Sequence, residues 1–130
     1  AVLHPGHFSP LGMQMPDAAW SQSILGIQQV CDHAAELDMK VAVENMVNMP
    51  AILGRRPEEV LGIIETVDRE NVGFIFDVGH ANIGTSENQA AELLRRYGDR
   101  LRHVHFSDNR GRGAGRKERS ALPSANGGCG

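Results

Sequence analysis

The chain has 130 residues, of which 41% are hydrophobic and 22% charged, and its formal net charge at pH 7 is −3. This composition is typical of one folded domain and excludes a disordered chain as the overall class. The weakly acidic balance gives no general attraction to nucleic acid or an anionic membrane, and no apolar run approaches the ~20 residues of a membrane span. The two cysteines, Cys31 and Cys129, belong to no CxxC motif, which argues against a disulfide scaffold and indicates a reducing, cytoplasmic location.

Strand-like and helix-like segments alternate along the chain. In order they are strand 1–4, loop 8–16, helix 18–37 with Asp17 as N-cap, strand 41–44, loop 45–56, helix 57–67 with Pro57 at N1, strand 72–76, loop 81–86, helix 87–97 and strand 101–106. Long βα loops and short αβ loops predict right-handed βαβ units in a parallel sheet, as in a (β/α)8 barrel. Four strands make about half of such a barrel, so we predict an α/β fold that is a partial TIM barrel.

Carboxylates and imidazoles stand where the predicted strands end. The strand ends carry His4, Glu44, Asp77 and His105, and His80 and Asp108 follow three residues after the last two. Parallel strands bring their carboxyl ends to one rim, where α/β folds place their chemistry. We therefore expect these side chains to meet in one site.

Each of these residues also has a structural alternative. Glu44 follows three apolar residues, and a buried glutamate is costly unless it is paired with an Arg or Lys or bound to a metal. Asp77 and His80 either face one centre, with Gly79 letting the backbone turn, or Asp77 caps a loop and His80 lies on the surface. Asp108 either orients His105, contacts substrate or caps a turn.

Four motifs carry a resemblance to a known family: HPGH at 4–7, VAVENM at 41–46, FDVGHAN at 76–82 and HVHFSDNRG at 103–111. Together they resemble the xylose isomerase-like TIM barrels, which include sugar and sugar-phosphate isomerases and epimerases and the abasic-site nucleases of the endonuclease IV type. The resemblance places the motifs on the third to sixth strands of the barrel. It implies that Glu44, Asp77 and His105 bind a divalent metal (Mn, Mg, Co or Zn), with a fourth ligand, a glutamate on the eighth strand, missing.

The same resemblance implies that His4 and His80 would bind substrate or a second metal. Asp108 is a further candidate for this role because of its position after the last strand. The predicted function is metal-dependent isomerisation or epimerisation of a sugar or sugar phosphate, in which Glu44 also exchanges a proton with the substrate. A small-molecule sugar is then the expected partner, with no membrane and with nucleic acid disfavoured.

Two alternatives stay open. The first is a zinc-dependent abasic-site nuclease, against which stand the weak basic character and the lack of an Asp-x-His after the sixth strand, since no histidine follows His105. The second is a non-catalytic truncated relic.

The pattern of strands and helices is lost after residue 111. We predict a partial barrel over 1–111 and an irregular tail over 112–130, which a frameshift or truncation shortly after Gly111 would explain. The start within a strand, without a methionine, predicts that an N-terminal part is missing.

Overall fold

A parallel four-stranded sheet organises the fold. The computed structural model describes residues 1–83 and 90–107. The strands are β1 (Val2–Leu3), β2 (Val41–Glu44), β3 (Val72–Asp77) and β4 (Leu101–His105), and they lie in the order β1-β2-β3-β4. All neighbours are parallel, with Val2 opposite Ala42, Val43 opposite Phe74, and Asp77 opposite His105.

Helices connect these strands. They are α1 (Pro10–Gln14), α2 (Pro16–Glu36), α3 (Pro57–Val67), α4 (Val78–Asn82) and α5 (Ala90–Tyr97), and a single 3-10 turn (Gly98–Arg100) leads into β4. None of the helices within the described residues has both the length and the hydropathy needed to cross a membrane.

The hydrophobic core lies between the helices and one face of the two central strands. Every residue of β2 and β3 is buried, as expected for strands covered on both sides. Side chains alternate between the faces of a strand, so Val43, Phe74 and Phe76 share the helix-facing side. There the Phe74 and Tyr97 rings pack with centroids 4.4 Å apart. Helix residues that complete this core are Ile24, Ile27, Cys31, Ala34, Val60, Ile63, Ile64, Val67, Ala81, Leu93 and Tyr97.

A short helix, α1, lies within the predicted loop 8–16. In the 8–16 segment, the Ser9 hydroxyl accepts a hydrogen bond from the Gly12 amide, and Pro10 at N1 starts α1. The following helix starts at Pro16 with Met15 as N-cap, so the prediction that Asp17 is the N-cap was wrong; Asp17 lies in the first turn. Side-chain capping by Ser9 accounts for the start of α1, whereas Met15 makes no side-chain capping hydrogen bond at the start of α2.

The predicted loop at 81–86 is also corrected at its start. Helix α4 covers Val78–Asn82, because the Asp77 carboxylate accepts a hydrogen bond from the His80 amide and caps the turn. By contrast, the prediction that a helix starts at Pro57 is confirmed, with Glu58 and Glu59 in its first turn.

Some predictions fall on residues outside the described ranges. These are the start of the helix predicted at 87–97, residues 84–86 of the loop, Asp108, and the tail at 112–130 with the hypothesis of a frameshift after Gly111.

Candidate metal and substrate site

Glu44 lies at the centre of the carboxyl-end rim. It is the last residue of β2 and is only 2% exposed. Its Oε2 lies 2.9 Å from His4 Nε2, and its Oε1 lies 3.0 Å from His105 Nδ1 and 3.5 Å from His80 Nδ1. The ionic partners of this carboxylate among the described residues are therefore histidines, and the alternative of a pair with Arg or Lys is not what the described part of the chain shows. One oxygen therefore faces His4, and the other faces His80 and His105.

Asp77 divides its oxygens in a similar way. Oδ1 accepts hydrogen bonds from the His80 amide (2.8 Å) and the Ser107 hydroxyl (3.2 Å), whereas Oδ2 lies 3.8 Å from His105 Nδ1 and 3.9 Å from His80 Nδ1. Asp77 therefore caps the following turn through Oδ1 and also faces His80 and His105 through Oδ2. Burial raises the pKa of the Asp77 carboxyl. The hydrogen bond from the His80 amide, the electrostatic effect of His80 and side-chain hydrogen bonds together outweigh burial, so the net pKa is below the ordinary value.

The histidines of α4 and β4 approach the carboxylates differently. His105 Nδ1 faces Glu44 Oε1 directly. His80 Nδ1 lies 3.0 Å from the backbone oxygen of Asn45, closer than it lies to either carboxylate. His103 is exposed and contacts His105 edge to face, with ring centroids 5.5 Å apart. Of the two histidines on β4, His105 is therefore the one placed to act as a ligand.

Sequence reasoning missed Asn45 and Ser107 as site residues. Asn45 is buried, and its side-chain amide bonds both the backbone N–H of Asp77 (2.8 Å) and the Asp77 carbonyl (3.0 Å). Both residues stand inside quoted motifs, yet their contacts depend on a neighbouring strand. The available signal was the position of Asn45 immediately after a buried strand, where an amide needs partners.

The donor set fits a divalent cation. Glu44, Asp77 and His80 each offer a ligand atom, and the three atoms lie within 4.8 Å of one another. Two buried carboxylates beside imidazoles suit Mg, Mn, Co or Zn, and a cation would offset the cost of burying both negative charges. Neighbouring ligands about 2.1 Å from an octahedral metal lie about 3 Å apart, close to the Glu44 Oε1–His105 Nδ1 separation.

Of the remaining predicted residues, the structure brings His4 to the rim through its contact with Glu44, although the side chain stays largely exposed. Asp108 lies outside the described residues. The predicted meeting of His4, Glu44, Asp77, His80 and His105 at one rim is what the geometry shows.

Comparison with known proteins identifies the family. Residues 1–129 match the profile of the family described as Xylose isomerase-like TIM barrel. The chain belongs to this family. The resemblance stated from the four motifs is thus confirmed, and so is the prediction that the four parallel strands and their helices are part of a TIM barrel.

Two curated relatives illustrate the similarity. An uncharacterised protein of Methanocaldococcus jannaschii is 32% identical over 110 residues, which is 85% of this chain and 38% of that protein. An inosose dehydratase of Geobacillus kaustophilus is 29% identical over 97 residues, which is 75% of this chain and 30% of that enzyme. The chain therefore spans well under half the length of these xylose isomerase-like relatives.

Solved structures give the same picture. A D-tagatose 3-epimerase-like protein superposes with a TM-score of 0.74 at 32% identity, over 85% of this chain and 41% of that one. D-allulose 3-epimerase from Methylomonas sp., solved in complex with D-allulose, gives a TM-score of 0.56 at 28% identity, over 65% of this chain and 29% of that one. The relatives named here thus include sugar epimerases and dehydratases.

Proposed function

We propose that the rim is the metal and substrate site of a sugar epimerase or isomerase. One observation carries this proposal: the buried Glu44 carboxylate has Oε1 3.0 Å from His105 Nδ1 and Oε2 2.9 Å from His4 Nε2. A carboxylate so divided can hold a cation through one oxygen while the other remains available for proton exchange.

Each residue of the site is assigned a separate role. Glu44, Asp77 and His105 would hold a divalent cation, which when bound would stabilise negative charge developing on a substrate oxygen. Glu44 Oε2 would take the proton from the carbon next to the substrate carbonyl, and His4 would orient that oxygen by its hydrogen bond. His80 would hold a substrate hydroxyl. A second carboxylate, for the opposite face of the carbon, would come from outside the described residues.

The substrate class follows from the xylose isomerase-like relatives and the chemistry of the site. D-tagatose, D-allulose and inosose, the compounds in the relatives' names, are polyhydroxylated ketones. In each, the hydrogen on the carbon next to the carbonyl is acidified, and a cation that chelates the carbonyl and a neighbouring hydroxyl acidifies it further. We therefore propose a polyhydroxylated ketone as substrate.

A dehydratase is the second candidate, because inosose dehydratases are among the curated relatives. Both reactions begin when a base removes the proton next to the carbonyl. Epimerisation returns a proton to the other face of the same carbon, whereas dehydration expels the hydroxyl of the next carbon as water after it has been protonated. The first step is shared, and the last step decides the product.

The test separates metal binding, proton exchange and product. The full chain is titrated with Co²⁺ and Mn²⁺ and then incubated in D₂O with D-allulose, D-tagatose or inosose, with Glu44→Gln as the inactive control. We expect metal binding and deuterium incorporation next to the carbonyl, both lost in Glu44→Gln. A new epimer supports the first candidate, and a dehydrated ketone supports the second.

Three outcomes contradict the proposal. Absence of metal binding removes its basis. Metal binding without exchange favours the non-catalytic alternative for this chain. Incision of an abasic DNA duplex, in place of exchange, favours the nuclease alternative.

A further inference from the structure

The side chain of Asn45 continues the pairing of β2 with β3 where the backbone ladder stops. The Asn45 backbone N–H still donates a hydrogen bond to the Ile75 carbonyl at 3.4 Å. At the next position the Asn45 side chain replaces a backbone unit, since its Oδ1 accepts from the Asp77 N–H at 2.8 Å and its Nδ2 donates to the Asp77 carbonyl at 3.0 Å. Asn45 is 3% exposed, so these two bonds are protected from water.

Because the Asn45 side chain takes over the pairing with Asp77, the Asn45 backbone carbonyl is available to the His80 side chain. The carbonyl oxygen lies 3.0 Å from His80 Nδ1. A carbonyl can only accept, so Nδ1 carries a proton, and the neutral imidazole then has its lone pair on Nε2. The other groups near Nδ1, Glu44 Oε1 and Asp77 Oδ2, are also acceptors and favour the same tautomer.

His80 is held at a second point by the same pair of residues. Its backbone N–H donates to Asp77 Oδ1 at 2.8 Å, and Asp77 is itself fixed by the Asn45 side chain. The ring and the backbone of His80 therefore both depend on the Asn45–Asp77 connection. Loss of the Asn45 side chain would loosen both at once.

We infer that Asn45 is a positioning residue that fixes His80 in the tautomer with an acceptor at Nε2. With this tautomer His80 accepts a hydrogen bond from a substrate hydroxyl and cannot donate one through Nε2 to a carbonyl or phosphate oxygen. The inference about the substrate rests on the proposed function, whereas the tautomer itself does not. With this tautomer, the substrate group that His80 recognises through Nε2 is a hydroxyl.

The test measures the tautomer directly. Ring ¹⁵N shifts of His80 are recorded in the full chain and assigned by their loss in His80→Gln. We expect a protonated Nδ1 in the native chain and a shift toward a protonated Nε2, or a mixture, in Asn45→Ala. The matched control is Asn71→Ala, because Asn71 also bonds two backbone carbonyls, those of Cys31 (2.7 Å) and Met39 (3.3 Å), but does so at the other end of the sheet. Its removal should leave the His80 shifts unchanged.

Asn45→Asp provides a second variant in case Asn45→Ala does not fold. It keeps the acceptor for the Asp77 N–H but places an oxygen against the Asp77 carbonyl, so we expect a partial change in tautomer. Deuterium exchange into the ketone should fall about 10- to 100-fold in Asn45→Ala, the range typical of groups that orient metal-site residues.

The outcomes separate this inference from the proposed function. A protonated Nε2 in the native chain, or unchanged His80 shifts in both Asn45 variants, overturns the role of Asn45 whatever the exchange assay shows. The expected tautomer without any exchange in the native chain supports Asn45 and contradicts the proposed function.

Discussion

The two ends of the sheet differ in how their polar groups are paired. At the carboxyl end, Glu44 and Asp77 are buried and lie beside histidines, which balance a negative charge only when protonated. At the amino end, Asp32 receives two hydrogen bonds from the Arg69 guanidinium, at 2.6 and 3.2 Å, and both side chains reach solvent. Asn71 bonds two backbone carbonyls nearby.

The contrast indicates that the carboxyl end is the one suited to bind a ligand. The amino-end charges are balanced by each other, so they tie α2 to the segment that precedes β3 and need no ligand. The carboxyl-end carboxylates lack a permanent cation among the described residues, and burying them costs stability. Buried carboxylates that lower stability in this way are typical of a functional site.

The largest expected effect comes from Glu44→Gln. We expect the affinity for Co²⁺ or Mn²⁺ to fall on the order of 100-fold or more, beyond the 10- to 100-fold typical of indirect partners. The free energy of unfolding should stay the same or rise, since one buried charge is removed. Metal titration and urea denaturation of the same samples check both. A marked loss of stability with intact metal binding would make Glu44 a structural residue and erase the contrast between the two ends.

The sequence was sufficient for the parts of the molecule that local pattern controls. The apolar run before Glu44 predicted β2 with its observed bounds, and Pro57 predicted the start of α3. The meeting of Glu44, Asp77 and His105 followed from parallel strands and family motifs. Asn45 was missed because its hydrogen bonds are to Asp77, which lies 32 residues away in the sequence. Helix α4 was missed because the Asp77 side chain starts it while also facing the site.

The next effect tests packing toward the amino end of β3. A Cβ at Gly73 would clash with Arg102 Cγ and would lie 2.7 Å from the backbone oxygen of Arg100. The arginine side chain can move, but the backbone oxygen moves only if β4 shifts. We therefore expect Gly73→Ala to lower the free energy of unfolding by about 1–3 kcal/mol in urea denaturation.

Gly26→Ala is the matched control for this substitution. Gly26 lies inside α2, and a Cβ there meets no atom within 4 Å. Alanine should stabilise the helix by roughly 0.5–1 kcal/mol. Equal effects of the two substitutions would show that crowding at Gly73 does not limit the fold.

A pH-dependent effect is expected at Tyr97, which is 1% exposed and whose hydroxyl makes no hydrogen bond of ordinary length and angle among the described residues. Burial raises the pKa of Tyr97 from 10.0 to about 12. The unfolded chain therefore loses this proton at lower pH than the folded chain, so stability is full below pH 10 and falls as the pH rises toward 12.

The comparison of Tyr97→Phe with the native chain isolates this group. At pH 11 the native chain should have lost roughly 1.4 kcal/mol relative to the variant, which corresponds to one pH unit above the ordinary pKa. Near neutral pH the variant should be as stable or slightly more stable, because it removes a buried hydroxyl without a good hydrogen bond. Urea denaturation of both proteins from pH 8 to pH 11 measures the difference in their free energies of unfolding. A difference that does not change with pH would show that the hydroxyl is solvated.

The smallest effect is expected from Asp32→Asn, because an exposed ion pair contributes little and is screened by salt. The hydrogen bond from Arg69 lowers the pKa of Asp32 below its ordinary value of 3.8, so any stability that it adds is present above pH 3.8 and is lost as the pH falls through the lower, folded value. The thermal midpoints of variant and native chain should therefore differ slightly at neutral pH and low salt, and converge in acid and in high salt. Metal affinity should be unchanged, because the pair lies at the end of the sheet opposite Glu44. A change in Co²⁺ affinity comparable with that of Glu44→Gln would mean that the two ends are energetically coupled, and the separation of a structural end from a functional end would then fail.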